Sequence, residues 1–158
     1  MSRPPASFEV WTDGGCQGNP GPGGWAFVLR GPDGTVERSG FDPSTTNNRM
    51  ELTAVREALA ALTSLGAGAS AETTISTDSQ YVQKGITEWI RSWTRNGWKT
   101  ASKAPVKNAD LWRDLLDLSA GLTVRWVWVL GHAGNEMNEK CDAMVRTAIA
   151  EGLKRPRR

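Results

Sequence analysis

The sequence predicts an α/β fold, with a mixed five-stranded sheet whose first three strands are antiparallel and helices packed on both of its faces. Three observations predict it. Three alternating or apolar stretches near the N-terminus are joined by short glycine- and proline-bearing turns, which antiparallel neighbours need. From Asn48 onward apolar residues recur with the helical period of roughly 3.6. Helical and strand patterns then alternate, and a helical crossover between two strands makes them parallel.

Phe8 to Asp13 alternates and meets Gly14-Gly15, a strand entering a turn. Gly18-Asn-Pro-Gly-Pro-Gly-Gly24 reads as a rigid, kinked connection to a second strand, Trp25 to Leu29. The Gly31-Pro-Asp-Gly34 turn leads to a third, Thr35 to Phe41. Asn48 to Leu65 sets Leu52, Val55, Leu59 and Leu62 on one helical face. Thr73 to Asp78 is a fourth strand, and Tyr81 to Arg95 one or two short helices broken at Gly85. Asn96 to Asn108 is a loop, Asp110 to Leu118 a helix, Thr123 to Leu130 a fifth strand and Asn138 to Gly152 a final helix. The expected organisation is a flexible 1–7, one domain over 8–152, and a basic tail over 153–158. No repeat or linker divides the chain.

The 158 residues are 39% hydrophobic and 23% charged, enough for a packed core and against wholesale disorder. No run approaches the ~20 apolar residues of a membrane helix, and Met1 to Ser7 lacks a signal-peptide core. Two cysteines, Cys16 and Cys141, with one histidine, His132, cannot complete a four-ligand zinc site or a disulfide framework. The expectation is a cytoplasmic monomer without membrane association. No Gly-Lys-Ser/Thr follows the glycine-rich segment and no dinucleotide fingerprint follows the first strand, which disfavours ATP or NAD.

Net charge is only +2, but Tyr81 to Asn108 carries Lys84, Arg91, Arg95, Lys99, Lys103 and Lys107 against Glu88 alone. Trp89, Trp93 and Trp98 are interleaved with these cations. Cations with spaced flat rings suit a nucleic-acid backbone. The same pattern also describes a solvated helix face with tryptophans turned into the core.

Four acids stand where a core does not need them. Asp13 and Asp78 end strands one and four, and the crevice of an open α/β sheet lies at such ends. Glu51 is in line with Val55, Ala58 and Leu62, and Asp142 with Val145 and Ile149, so both face the sheet. Gathered together, these carboxylates would repel unless cations bind among them, and hard oxygen donors suit Mg²⁺. Structural alternatives stand beside each acid. Asp13 is a turn former, Asp78 a cap for the next helix, Glu51 the third residue of a capping box begun by Asn48, and Asp142 a helix-dipole partner. His132, between Gly131 and Gly134, is either a plain loop residue or a proton carrier on a mobile loop.

Taken in order, Thr12 to Trp25, Thr45 to Glu51, Ser76 to Val82, Gly97 to Thr100 with Pro105 to Asn108, and Gly131 to Asp142 resemble type 1 ribonuclease H. The likeness runs from Phe8 to Ala150 and is nearest to bacterial members with a basic protrusion. It implies a ribonuclease H-like fold and Mg²⁺-dependent cleavage of the RNA strand of RNA–DNA hybrids, leaving 5′-phosphate and 3′-hydroxyl ends. It implies two Mg²⁺ ions, with Mn²⁺ as a candidate substitute, held by Asp13, Glu51, Asp78 and Asp142, with Asp13 bridging and His132 shuttling protons. It matches Asn19, Thr46 and Asn108 to a grip on a DNA phosphate. Asn47, Asn48 and Gln80 match minor-groove readers, and Cys16 falls in a substrate-contacting loop. Trp89 matches an aromatic beside the DNA strand, and the Trp93–Lys107 region, with Trp98 and Lys99, the protrusion.

The chain departs from strongly basic relatives at Thr94, Asn96, Ser102 and Ala104, and around Asn135 to Met137. Two consequences stay open: a weaker hybrid affinity, or partial compensation by the basic tail over 154–158. Two other readings remain open at this point. One is a DNA-cutting or DNA-joining enzyme of the same fold, which the amides suited to 2′-hydroxyls oppose. The other is a noncatalytic hybrid-binding module, which clustered negative charge beside a phosphate opposes.

Overall fold

The computed structural model describes residues 6–129 and 136–155. Its strands are β1 (Ser7–Cys16), β2 (Gly21–Gly31), β3 (Gly34–Thr45), β4 (Glu72–Thr77) and β5 (Thr123–Trp128). Its helices are α1 (Asn47–Ser64), α2 (Gln80–Lys84), α3 (Ile90–Asn96), α4 (Ala109–Ser119) and α5 (Glu136–Lys154), with a π-helical turn, Gly85–Trp89, between α2 and α3. The five strands form one sheet in the order β3-β2-β1-β4-β5. β1 to β3 pair antiparallel, while β4 runs parallel to both β1 and β5. The mixed sheet is therefore as the sequence predicts.

Strand alternation divides the core. Phe8, Val10, Phe27, Leu29 and Ile75 meet the buried stripe of α1, Leu52, Val55, Leu59 and Leu62, together with Leu111, Trp112 and Leu115 of α4. Ala26 meets Val145 and Ile149 of α5 in a separate cluster. Helices thus cover both faces, α1 and α4 on one and α5 on the other.

Several boundaries depart from the sequence reading. Asp13 does not end its strand, because β1 continues to Cys16 and pairs Gly14 with Trp25, Gly15 with Gly24 and Cys16 with Gly23. Most of the glycine-rich connection is therefore the start of β2, and only residues 17–20 link the strands. Helix α5 continues two residues past Gly152 to Lys154. The interruption at Gly85 takes the form of the π-helical turn. A Cβ there would overlap the Trp112 ring, so glycine lets this turn close on the largest buried side chain. The 130–135 segment, with His132, lies outside the described residues.

Candidate active site

The sheet register sets two carboxylates side by side. The parallel pairing of β1 with β4 runs to Trp11 opposite Ser76. Two residues further, where the strands part, stand Asp13 on β1 and Asp78 just after β4. The backbone carbonyl of Asp78 accepts a hydrogen bond from Trp128 Nε1 at 3.3 Å, which ties this corner to β5.

Glu51 arrives from α1. The N-cap of α1 is Thr46, whose hydroxyl accepts the Arg49 N–H at 3.2 Å, so the capping box expected from Asn48 to Glu51 does not form. Glu51 instead accepts a short hydrogen bond from the Ser79 hydroxyl. Ser79 also caps α2 by accepting the Val82 N–H at 3.1 Å, so the cap expected of Asp78 belongs to its neighbour. Gly14 brings β1 and α1 this close, since a Cβ there would overlap the Met50 backbone. Asp142 comes from α5, which docks through buried Cys141, whose thiol lies 3.5 Å from the Trp11 carbonyl oxygen. Arg146, one turn on, donates from Nε to Asp142 Oδ2 at 3.1 Å.

Proton affinity shows that the four acids share one neighbourhood. Asp13 is pushed from 3.8 up to about 8, first by burial, then by the Asp78 charge, with Asp142 and Glu51 adding to it; the Gly14 N–H opposes. Glu51 is also raised, first by burial and then by Asp78, against the Ser79 hydrogen bond. The Cys141 thiol is pushed up to about 12 by burial and by the charge of Asp13. Among the described residues no three acidic, histidine or cysteine side chains stand close enough to grip one ion as they are. Hard oxygen donors with excess negative charge fit Mg²⁺ by chemistry.

Beside the acids lies an amide-rich wall. Asn47 Oδ1 accepts the Cys16 N–H at 2.8 Å, and Asn19 Oδ1 accepts the Asn47 N–H at 3.2 Å and faces the Cys16 thiol at 3.8 Å. These bonds tie the β1–β2 link to the start of α1. An open cavity of about 380 Å³ is lined by Asn19, Thr46, Asn48, Arg49, Lys107 and Asn108. It brings together the three residues matched to a phosphate grip. Gln80, the first residue of α2, is exposed one position beyond Ser79.

A chain of rings continues from this wall. Tyr81 contacts Trp89 at 5.7 Å and Trp112 at 5.4 Å, Trp93 contacts Trp89 at 5.7 Å, and Trp98 contacts Trp93 at 6.0 Å. Trp89, Trp93 and Trp98 are half-buried, so none of the three is either a fully solvated side chain or a fully buried core residue. A second open groove of about 450 Å³ is lined in part by Tyr81, Trp89, Trp93 and Lys107. Trp98 and Lys99 are not in its lining. The Trp98 ring is covered by the Arg113 guanidinium at 5.1 Å, and exposed Lys99 pairs with Pro105 across a short bridge.

The family model for RNase H matches residues 5–150. The chain belongs to the ribonuclease H family. It is 54% identical over 144 residues to the ribonuclease H of Granulibacter bethesdensis, covering 91% of this chain and 93% of that one. It is 50% identical to that of Hyphomonas neptunium, with the same coverage. Among solved structures it resembles LC9-RNase H1, described as a type 1 RNase H with the type 2 active-site motif. That likeness has 34% identity and a TM-score of 0.81, over 96% of this chain and 75% of that one. LC11-RNase H1, solved in complex with an RNA/DNA hybrid, shares the fold at 24% identity and a TM-score of 0.72, over 93% of this chain and 99% of that one. The ribonuclease H relatives make the chain a nuclease, a hydrolase of phosphodiester bonds.

Within this ribonuclease H, three site residues escape sequence reasoning. Ser79 holds Glu51 across 28 positions. Tyr81 Oη accepts from Asn108 Nδ2 at 3.2 Å and from Trp112 Nε1 at 3.0 Å, anchoring the Asn108 side of the cavity to the core. Arg49 donates to Asn108 Oδ1 at 3.1 Å and pairs with Asp110, so it braces the cavity it lines. Their signal was faint, being polar neighbours of residues already chosen on the motifs.

Proposed function

We propose that this chain hydrolyses the RNA strand of RNA–DNA hybrids by two-metal catalysis, leaving 5′-phosphate and 3′-hydroxyl ends. The observation that carries the reading is the Asp13 carboxyl, raised to about 8 in part by three further acids on separate elements. A stable fold has no need to gather four carboxyl groups, one of them pushed to hold its proton, beside a wall of amides. Asp13, Glu51, Asp78 and Asp142 are the residues that would hold the ions, and Asp13 feels the charge of the other three. When bound, paired divalent ions supply an activated water and stabilise the leaving 3′-oxygen. Mg²⁺ is the proposed ion and Mn²⁺ its substitute.

The chain's own residues supply recognition. Asn19, Thr46 and Asn108, bracing an open cavity beside Lys107, are suited to one phosphate of the DNA strand. Asn47, Asn48 and Gln80 are amides able to both donate to and accept from 2′-hydroxyls and base edges in the wide minor groove of an A-like duplex. Cys16, fixed through its backbone to Asn47, lies at the edge of that surface. Trp89 and Trp93 are proposed to offer ring faces to the DNA strand, with Trp98 backing Trp93 and Lys99 with the neighbouring cations forming an electrostatic border. His132 is proposed to carry protons at the leaving end. Free Cys16 and Cys141 fit a reducing, cytoplasmic setting, and a monomer is proposed.

The test is a labelled-strand assay with RNA–DNA, RNA–RNA and DNA–DNA duplexes, each with and without Mg²⁺. The expected result is cleavage of the RNA strand of the hybrid alone, and only with the ion. Equal cleavage of the DNA duplex, or binding of the hybrid without product, would overturn it.

A further inference from the structure

We propose that Arg146 occupies Asp142 in the metal-free protein and must release it before a divalent cation is held there. This arginine then sets the cation concentration the site requires. The inference rests on the reading of Asp142 as a cation ligand.

The pair sits on one face of α5, four residues apart with the acid nearer the N-terminus, the favourable order for an i,i+4 pair. Arg146 Nε is 3.1 Å from Asp142 Oδ2. The Arg146 side chain is 72% exposed and that of Asp142 38%. The guanidinium therefore lies on the solvent side of the carboxylate and can withdraw into water without repacking. The helix keeps its place meanwhile, because buried Cys141, Val145 and Ile149 hold it on the sheet.

The contrast with Glu51 shows why this contact matters. Glu51 is relieved by a hydroxyl, which carries no net charge and can stay on one oxygen while the other turns to a cation. Asp142 is relieved by a full positive charge, which repels an incoming cation and weakens the field that draws it in. The cost is set by an exposed ion pair, so the expected effect is modest. Removing the arginine should lower the Mg²⁺ midpoint two- to fivefold, and a fivefold change is about 1 kcal/mol.

The experiment compares wild type, Arg146→Gln and Arg146→Lys. Each protein is stripped of metal and titrated with Mg²⁺, read by the rise in melting temperature and, separately, by hybrid cleavage. Arg146→Gln is expected to shift both midpoints two- to fivefold lower, while Arg146→Lys, keeping the charge, stays near wild type. An unchanged midpoint in Arg146→Gln would overturn the proposal. So would a raised one, which would mean that the arginine holds Asp142 ready for the ion. A wild type that neither binds Mg²⁺ nor cleaves would overturn the functional reading itself, a result distinct from an unshifted midpoint in a protein that does both.

Discussion

Replacing Asp13 by Asn should stabilise the metal-free protein while removing its chemistry. Asn keeps the shape of the side chain and its ability to accept the Gly14 N–H, but it cannot ionise. The Asp13 carboxyl has a proton affinity near 8 when folded against 3.8 ordinarily. Between those values the folded state holds a proton that the unfolded chain has released. Stability therefore falls as pH rises through that window, and it is undiminished below a pH of about 4. At about 1.4 kcal/mol per pH unit, the ceiling on this loss at pH 7 is about 4 kcal/mol. Asp13 is only half-buried and its neighbours can turn toward water, so the expected gain is about 1–3 kcal/mol. For a chain of this size that is roughly 2–12 °C in melting temperature. The assay is urea unfolding in EDTA followed by tryptophan fluorescence, with eight tryptophans as reporters, from pH 4.5 to 8. The variant should gain on wild type as pH rises, and Mg²⁺ should narrow the gap by stabilising wild type. A variant no more stable at pH 7.5, or a gap equal at pH 4.5 and 7.5, would refute the reasoning.

Ser79→Ala removes both the cap of α2 and the hydroxyl on Glu51. It should cost about 1–2 kcal/mol in urea unfolding and lower kcat more than it raises KM. Gly85→Ala puts a methyl group against the Trp112 ring and should cost about 1–3 kcal/mol, with a lower melting temperature and a raised KM as the aromatic wall shifts. Lys107→Ala takes an exposed cation from the rim of both grooves. It should raise KM for the hybrid, leave kcat unchanged and reduce the salt slope of binding by about 1.

The order of strands and helices along the chain is legible because each element carries its own period, and turn lengths and crossovers give the mixed sheet with three antiparallel strands, while the spatial order β3-β2-β1-β4-β5 comes from the structure. The glycines of 14–24 were misread as a turn because a glycine in a strand leaves no alternation to see. Their use is long-range, for Gly14 is small so that Met50 and Glu51 can approach β1. Capping residues were placed one or two positions away from the true caps. Thr46 and Asn48 are both competent, as are Asp78 and Ser79, and only tertiary contacts decide between them. Glu51 and Asp142, on the inward faces of their helices, and Asp78, just after β4, stand where the sequence pattern puts them, whereas Asp13 lies inside β1 rather than at its end. The partners that hold two of these acids, Ser79 and Arg146, were not legible, since serine and arginine near a helix end have many ordinary uses. The aromatic segment was ambiguous for a physical reason, as Trp93 packs against buried Trp112 at 5.6 Å on one side and lines an open groove on the other.

The central claim is that the four acids act together as ion holders for RNA-strand cleavage. The most direct measurement is the single-turnover rate of RNA-strand cleavage in an RNA–DNA hybrid at saturating Mg²⁺, for wild type, Asp13→Asn and Asp78→Asn. The account predicts folded variants that still bind the hybrid but cleave at least about a thousandfold more slowly, a loss of about 4 kcal/mol of transition-state stabilisation. Rates within tenfold of wild type in either variant would contradict it.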